Sequence, residues 1–231
     1  MIAIMKKRVL FVLSSHSQFG DTGEKTGWWM GEAAHPWKVL SQMGYIVDFV
    51  SPQGGEPPVT GADLNDPVNY EFMHDPVITE KLKTTMKPGE VVPNKYHAIL
   101  FVGGHGAIFD LPDNKEIARI AAHIYEKGGI VAAVCHGPAG LLNIRLSNGE
   151  YFIHGRHVTG FSDCEEREIK RCNDVPFLLQ CELMFRGAHY HIAENWKPNI
   201  QVDDRLVTGQ NPQSAKGVGE ALLALLQKLD K

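Results

Sequence analysis

Residues 130–140 read IVAAVCHGPAG. The run IVAAVC carries no charged or amide side chain and is rich in β-branched residues, the pattern of a strand buried on both faces. His136, a glycine and a proline follow at once, so the backbone must turn sharply where the strand ends. Short runs rich in Val, Ile and Phe, also read as strands, occur at residues 8–13 (RVLFVL), 46–51 (IVDFVS) and 97–102 (HAILFV). Helical patterns lie between them, at residues 27–43, roughly 70–86, and 114–127, where Ile117, Ile120, Ala121 and Ile124 recur on one helical face. Strands alternating with helices predict an α/β fold: a doubly wound, mostly parallel sheet with helices on both faces.

The rest of the chain fits this frame. Residues 51–67, SPQGGEPPVTGADLNDP, are dense in Gly and Pro and read as a long surface loop inside a single domain over residues 1–231. HVTG follows at residue 157, then strand-like pieces at NIQV and RLVTG, with helices near residues 175–185 and 212–229. Asn211 before Pro212 suits a helix cap and first turn. His189 and His191 in HYH share one strand face, and without a third partner they read as ordinary strand residues rather than metal ligands.

The bulk properties exclude several classes. A net charge of −4, with 23 Lys plus Arg scattered along the chain, gives no basic track for nucleic acid. The apolar run VLFVL is shorter than a signal segment, and no run approaches the roughly 18 apolar residues of a membrane span. Cys135, Cys164, Cys172 and Cys181 show no metal-type or redox-type spacing, so free thiols and a cytoplasmic location are expected. Cys164, between Asp163 and Glu165, is expected to be unreactive because flanking negative charge disfavours a thiolate.

In an open α/β sheet, sites form beyond the carboxyl ends of the strands, and Cys135 sits at such an end. If GPAGLLN opens a helix, unpaired N–H groups and the helix dipole favour the thiolate, the strongly nucleophilic form. The competing reading is a small buried filler. His136 fits either an acid–base group or a hydrogen-bonded structural residue. The glycines of GGHG, residues 103–106, fit either backbone donors to a developing oxyanion or an ordinary turn.

Taken together, TGWWMGEAAHPW, FVGGHGAIFD, AVCHGPAG, HVTGFSDCEE and RLVTGQNPQSA, in this order, resemble the ThiJ/PfpI superfamily. More narrowly they resemble its heat-shock-type, glutathione-independent glyoxalases, often called glyoxalase III. The resemblance spans nearly the whole chain. It implies a flavodoxin-like fold related to class I glutamine amidotransferases, a homodimer, and no metal or organic cofactor. It implies Cys135 as nucleophile, His136 as the elbow histidine, Glu32 as the glutamate beside the cysteine, and Glu166 as the third triad member. A register slip of one residue moves that last role to Glu165. The implied oxyanion donors are the backbone N–H groups of Gly104 and His136.

The implied activity is conversion of 2-oxoaldehydes such as methylglyoxal to 2-hydroxy acids, with Glu32 kept protonated and either His136 or Glu32 moving the substrate proton. The alternatives are deglycation or small-amide hydrolysis by the same cysteine, and a stress-response redox sensor or chaperone. Larger members that act as chaperones carry a capping segment without a counterpart in this sequence. An amidotransferase subunit would need a late HPE-like element, which the sequence does not contain.

Overall fold

The computed structural model describes residues 7–229. In chain order its elements are β1 (Arg8–Val12), β2 (Trp28–Trp29), α1 (Met30–Gln42), β3 (Ile46–Val50), β4 (Val59–Thr60), α2 (Pro67–His74), α3 (Pro76–Lys83), β5 (Ala98–Phe101), α4 (Gly106–Asp110) and α5 (Lys115–Glu126). They continue with β6 (Ile130–Val134), β7 (His157–Val158), α6 (Asp163–Glu168), α7 (Leu179–Phe185), β8 (His189–Tyr190), β9 (Ile200–Asp203), β10 (Leu206–Gly209) and α8 (Ala215–Lys228).

The central sheet runs β3-β1-β5-β6-β10-β9. All its pairings are parallel except that of β9 with β10. Every residue of β5 and β6 is buried, which is why these strands are apolar throughout instead of alternating. Of the two edge strands, β3 and β9, β9 is only partly covered. The strand order reverses at β1, whose neighbours are β3 and β5, the switch point beside which flavodoxin-like folds place their ligands. The helices α1 and α8 pack on one another, and α5 packs on β5 and β6. An aromatic cluster of Phe11, Phe49, Phe72 and Trp37 ties α1 and α2 to the sheet through edge-to-face contacts.

The structure corrects several local expectations. The helix expected at residues 70–86 is two helices, because Pro76 has no N–H to continue the first and Asp75 caps the second by accepting from the N–H groups of Val77 and Ile78. The first long helix starts at Met30, since Trp28 and Trp29 are drawn into a strand pair with Val59 and Thr60 from the supposed loop. The helix expected from residue 175 starts at Leu179. Asn211 does not cap a helix with its side chain. Its amide donates to Glu165 and to the Lys197 carbonyl, and its oxygen accepts from Ser214. Cys164 is exposed beside Arg167, while Glu165 turns inward to Ser162 and Asp163 faces Cys181. The two charges thought to flank the thiol are therefore engaged elsewhere. The HYH pair does have a third histidine, since β7 pairs with β8 and sets His157 opposite His189.

Candidate active site

β6 delivers Cys135 in the left-handed region, with φ of 58°, a conformation that is strained for a residue with a Cβ. The surroundings hold it there. Its N–H donates to the Gly209 carbonyl of β10 at 3.0 Å, and its carbonyl accepts from Phe161 at 2.8 Å. Gly137 leaves the turn passable, because a Cβ there would stand 2.2 Å from the Phe101 carbonyl oxygen. The segment after the elbow is a short 3₁₀ turn, Gly137–Leu141, and not the α-helix expected from GPAGLLN.

Burial pushes the Cys135 thiol pKa well up, and a charge on the neighbouring Glu32 carboxyl would push it further in the same direction. The backbone N–H groups of Gly104 and His136 oppose that shift. The helix dipole expected to favour the anion is replaced by a short 3₁₀ turn, and with only 4% of the residue reaching solvent, burial favours the neutral thiol.

Glu32 lies in the first turn of α1 and is fully buried. Neither of its carboxylate oxygens finds a partner of good hydrogen-bonding geometry among the described residues. Burial raises its pKa to about 8, against weaker opposing contributions from the Cys135 thiol and the Gly103 N–H. At neutral pH the side chain is therefore a neutral acid, able to donate a proton or a hydrogen bond. The start of α1 is fixed to the glycine loop by the Trp29 N–H, which donates to the Gly103 carbonyl at 3.0 Å. Gly103 must lack a side chain, since a Cβ would stand 2.3 Å from Glu32 Oε2 and 2.9 Å from Cys135 Cβ.

His136 connects the thiol to an anion. Its Nδ1 is 3.5 Å from Cys135 Sγ and its Nε2 is 2.8 Å from Glu166 Oε2. Phe161 packs against the ring, with centroids 4.4 Å apart. Glu166 rides on α6, whose start is closed by reciprocal bonds between Ser162 and Glu165. Of the two adjacent glutamates, Glu166 is the one on His136. Glu165 is spent on Ser162, Trp196, Gln210 and Asn211.

The sequence reading passed over His105, the histidine of GGHG. Its Nε2 lies 2.9 Å from the other oxygen of Glu166, and its ring is 4.0 Å from that of His136. Burial lowers the His105 pKa to about 4, helped by His136, so it is a neutral donor. Burial works against the Glu166 charge, but the bonds from His105 and His136 outweigh it and hold the carboxyl at about 2. The available signal was positional: GGHG follows β5, the strand beside β6, and so ends at the same sheet edge as Cys135.

His105, His136 and Glu166 also have ligand-type atoms within 4.8 Å of one another, as a metal site would need. Those atoms are engaged in the two His–Glu bonds, which an ion would have to break. Trp28 is buried and donates to the Pro57 carbonyl, while Trp29 stays partly exposed at the start of α1. The arrangement as a whole is a thiol with a base beside it, an anion behind the base, a neutral acid on its other side and two amide donors at the sulfur.

Comparison with known proteins agrees with this geometry. A model of the DJ-1/PfpI family matches residues 29–225. Glyoxalase 3 of Candida albicans is 34% identical over 239 residues, covering 95% of this chain and 98% of its own. The glutathione-independent glyoxalase HSP31 of Saccharomyces cerevisiae is 34% identical over 223 residues, covering 90% of this chain and 93% of its own. Among solved structures, the Rapid Encystment Protein 24 KDa of Francisella tularensis superposes with a TM-score of 0.92 at 36% identity, covering 95% of this chain and 99% of that one. The glyoxalase III structure from Candida albicans gives 0.84 at 32% identity, covering 95% and 97%. A resemblance first carried by five short motifs thus extends over the length of both partners, and the chain belongs to the DJ-1/PfpI family, alongside its glutathione-independent glyoxalases.

Proposed function

We propose that this protein is a glutathione-independent glyoxalase, converting methylglyoxal and related 2-oxoaldehydes to 2-hydroxy acids with Cys135 as the nucleophile. The observation that carries this reading is the buried Cys135 thiol held between a neutral Glu32 and the His136–Glu166 pair.

His136 Nδ1 takes the thiol proton as sulfur adds to the aldehyde carbon, and anionic Glu166 stabilises the imidazolium that forms. The new oxyanion of the hemithioacetal lies against the N–H groups of Gly104 and His136, which act on the sulfur in the free enzyme. The proton on the former aldehyde carbon then moves by way of an enediol to the neighbouring carbon, leaving a 2-hydroxyacyl thioester. Water cleaves the thioester, releasing the hydroxy acid and restoring the thiol. The aldehyde carbon is oxidised as the ketone carbon is reduced, so the reaction needs no external oxidant or reductant. Glu32, neutral at the start, is placed to protonate the oxyanion and to collect the migrating proton.

The near-complete enclosure of Cys135 supports small carbonyl compounds as substrates. The four free thiols support a cytoplasmic setting, and the family resemblance supports a homodimer, which sedimentation of the purified chain tests. The decisive assay is lactate formation from methylglyoxal without glutathione, with Cys135→Ser alongside. Lactate from the parent protein and none from the variant is the expected result. Equal lactate from both would remove Cys135 from the mechanism.

A further inference from the structure

We propose that His157, His191 and His189 form a surface site for a divalent transition-metal ion of the Zn²⁺ type, separate from the Cys135 site. The parallel pairing of β7 with β8 builds it. His157 is in register with His189, and the N–H groups of His189 and His191 donate to the carbonyls of Arg156 and Val158, on either side of His157. Residues two apart on a strand share a face, so all three imidazoles stand on one side of this small sheet. The ring of His157 is 4.9 Å from that of His191 and 5.2 Å from that of His189.

His157 Nδ1 and His191 Nε2 face each other at 2.6 Å. Two neutral imidazoles meet this way only when one carries the proton and the other the lone pair. Tautomerisation moves that proton to the outer ring nitrogen and leaves two lone pairs converging, with both rings still neutral. Two nitrogens on one tetrahedral zinc lie about 3.3 Å apart, given Zn–N bonds of about 2.0–2.1 Å. The pair therefore needs to open by less than about 1 Å. His189, exposed and in register with His157, is the third donor of the proposed site, and water completes the shell.

The neighbouring charges do not compete for these nitrogens. Asp203 accepts from the His157 backbone N–H through Oδ2, and its Oδ1 faces Arg156. Imidazole as the only side-chain donor favours Zn²⁺, Ni²⁺ or Cu²⁺ over Mg²⁺ or Ca²⁺.

The test is calorimetric titration of Zn²⁺ at about pH 7.5 into the purified protein, free of any polyhistidine tag, with His157→Gln, His191→Gln and Cys135→Ser in parallel. Either histidine substitution is expected to weaken binding by roughly tenfold or more. Cys135→Ser is expected to bind as the parent does, and methylglyoxal turnover by the histidine variants should be unchanged. Melting of each metal-free variant close to the parent excludes misfolding as the cause. Equal affinity in parent and histidine variants would overturn the proposal. So would loss of binding in Cys135→Ser alone, which would locate the ion at the Cys135 site.

Discussion

At the residue scale, the site depends on groups whose character comes from what surrounds them. Cys135 was legible because a strand-end cysteine before His-Gly-Pro is a local pattern. Glu32 was not, because a glutamate in the first turn of a helix ordinarily faces water, and only the packing of α1 under the glycine loop makes this one dry. Glu166 and Glu165 could not be separated from sequence, because neighbours on a helix point about 100° apart and the difference rests on distant partners. Glu165 meets Gln210 and Asn211, whereas Glu166 meets His105 and His136. Replacing Glu166 with Gln removes the anion behind His136 while keeping its shape. Steady-state kinetics on methylglyoxal should show kcat falling by roughly 100-fold or more with little change in KM. A change confined to KM would mean that Glu166 binds substrate and does not support the base.

At the element scale, β5 and β6 were readable because burial on both faces demands unbroken apolar runs, and β1 and β3 because Val, Ile, Leu and Phe dominate them around the paired Arg8 and Asp48. The short pair β2 and β4 was not readable, since two-residue strands carry no periodicity and form only when the chain brings Trp28 to Val59. That unreadable pair does functional work, for it holds the start of α1 against Gly103. Gly103→Ala tests the juncture. The added methyl group would crowd Glu32, the Val134 carbonyl and Cys135 at once. Thermal melts should show a loss of about 1–3 kcal/mol in stability, and lactate formation should fall far more than that loss explains. A second element-level test lies at α6, where Ser162 accepts from the Glu165 N–H. Ser162→Ala should cost about 1 kcal/mol and lower kcat, because the helix start it frays carries Glu166. Unchanged kcat in a destabilised variant would separate the cap from the site.

At the scale of the whole molecule, the active site adds to pH-dependent stability with two opposite signs. α1 packs against α8 so closely that a Cβ on Gly219 would stand 2.7 Å from Pro36 Cα, and the glutamate it carries has little room to reach water. Glu32 therefore has a folded-state pKa of about 8, above the ordinary value of 4.5. Between those two values the folded chain holds a proton that the unfolded chain has released, so stability falls as pH rises through this window. Glu166 acts in reverse. Held at about 2, it contributes stability that is complete above 4.5 and is lost as pH falls towards 2. Glu32→Gln keeps the neutral shape and removes the ionisation. Its melting temperature should match the parent at about pH 4, where Glu32 is protonated in both states, and exceed it increasingly towards pH 8. The widening gap should reach on the order of 3–5 kcal/mol. The same variant should form no lactate, since an amide can neither donate nor recover the migrating proton. Parallel melting curves across this range would show that Glu32 ionises freely in the folded protein, and the neutral acid beside Cys135 would have to be abandoned.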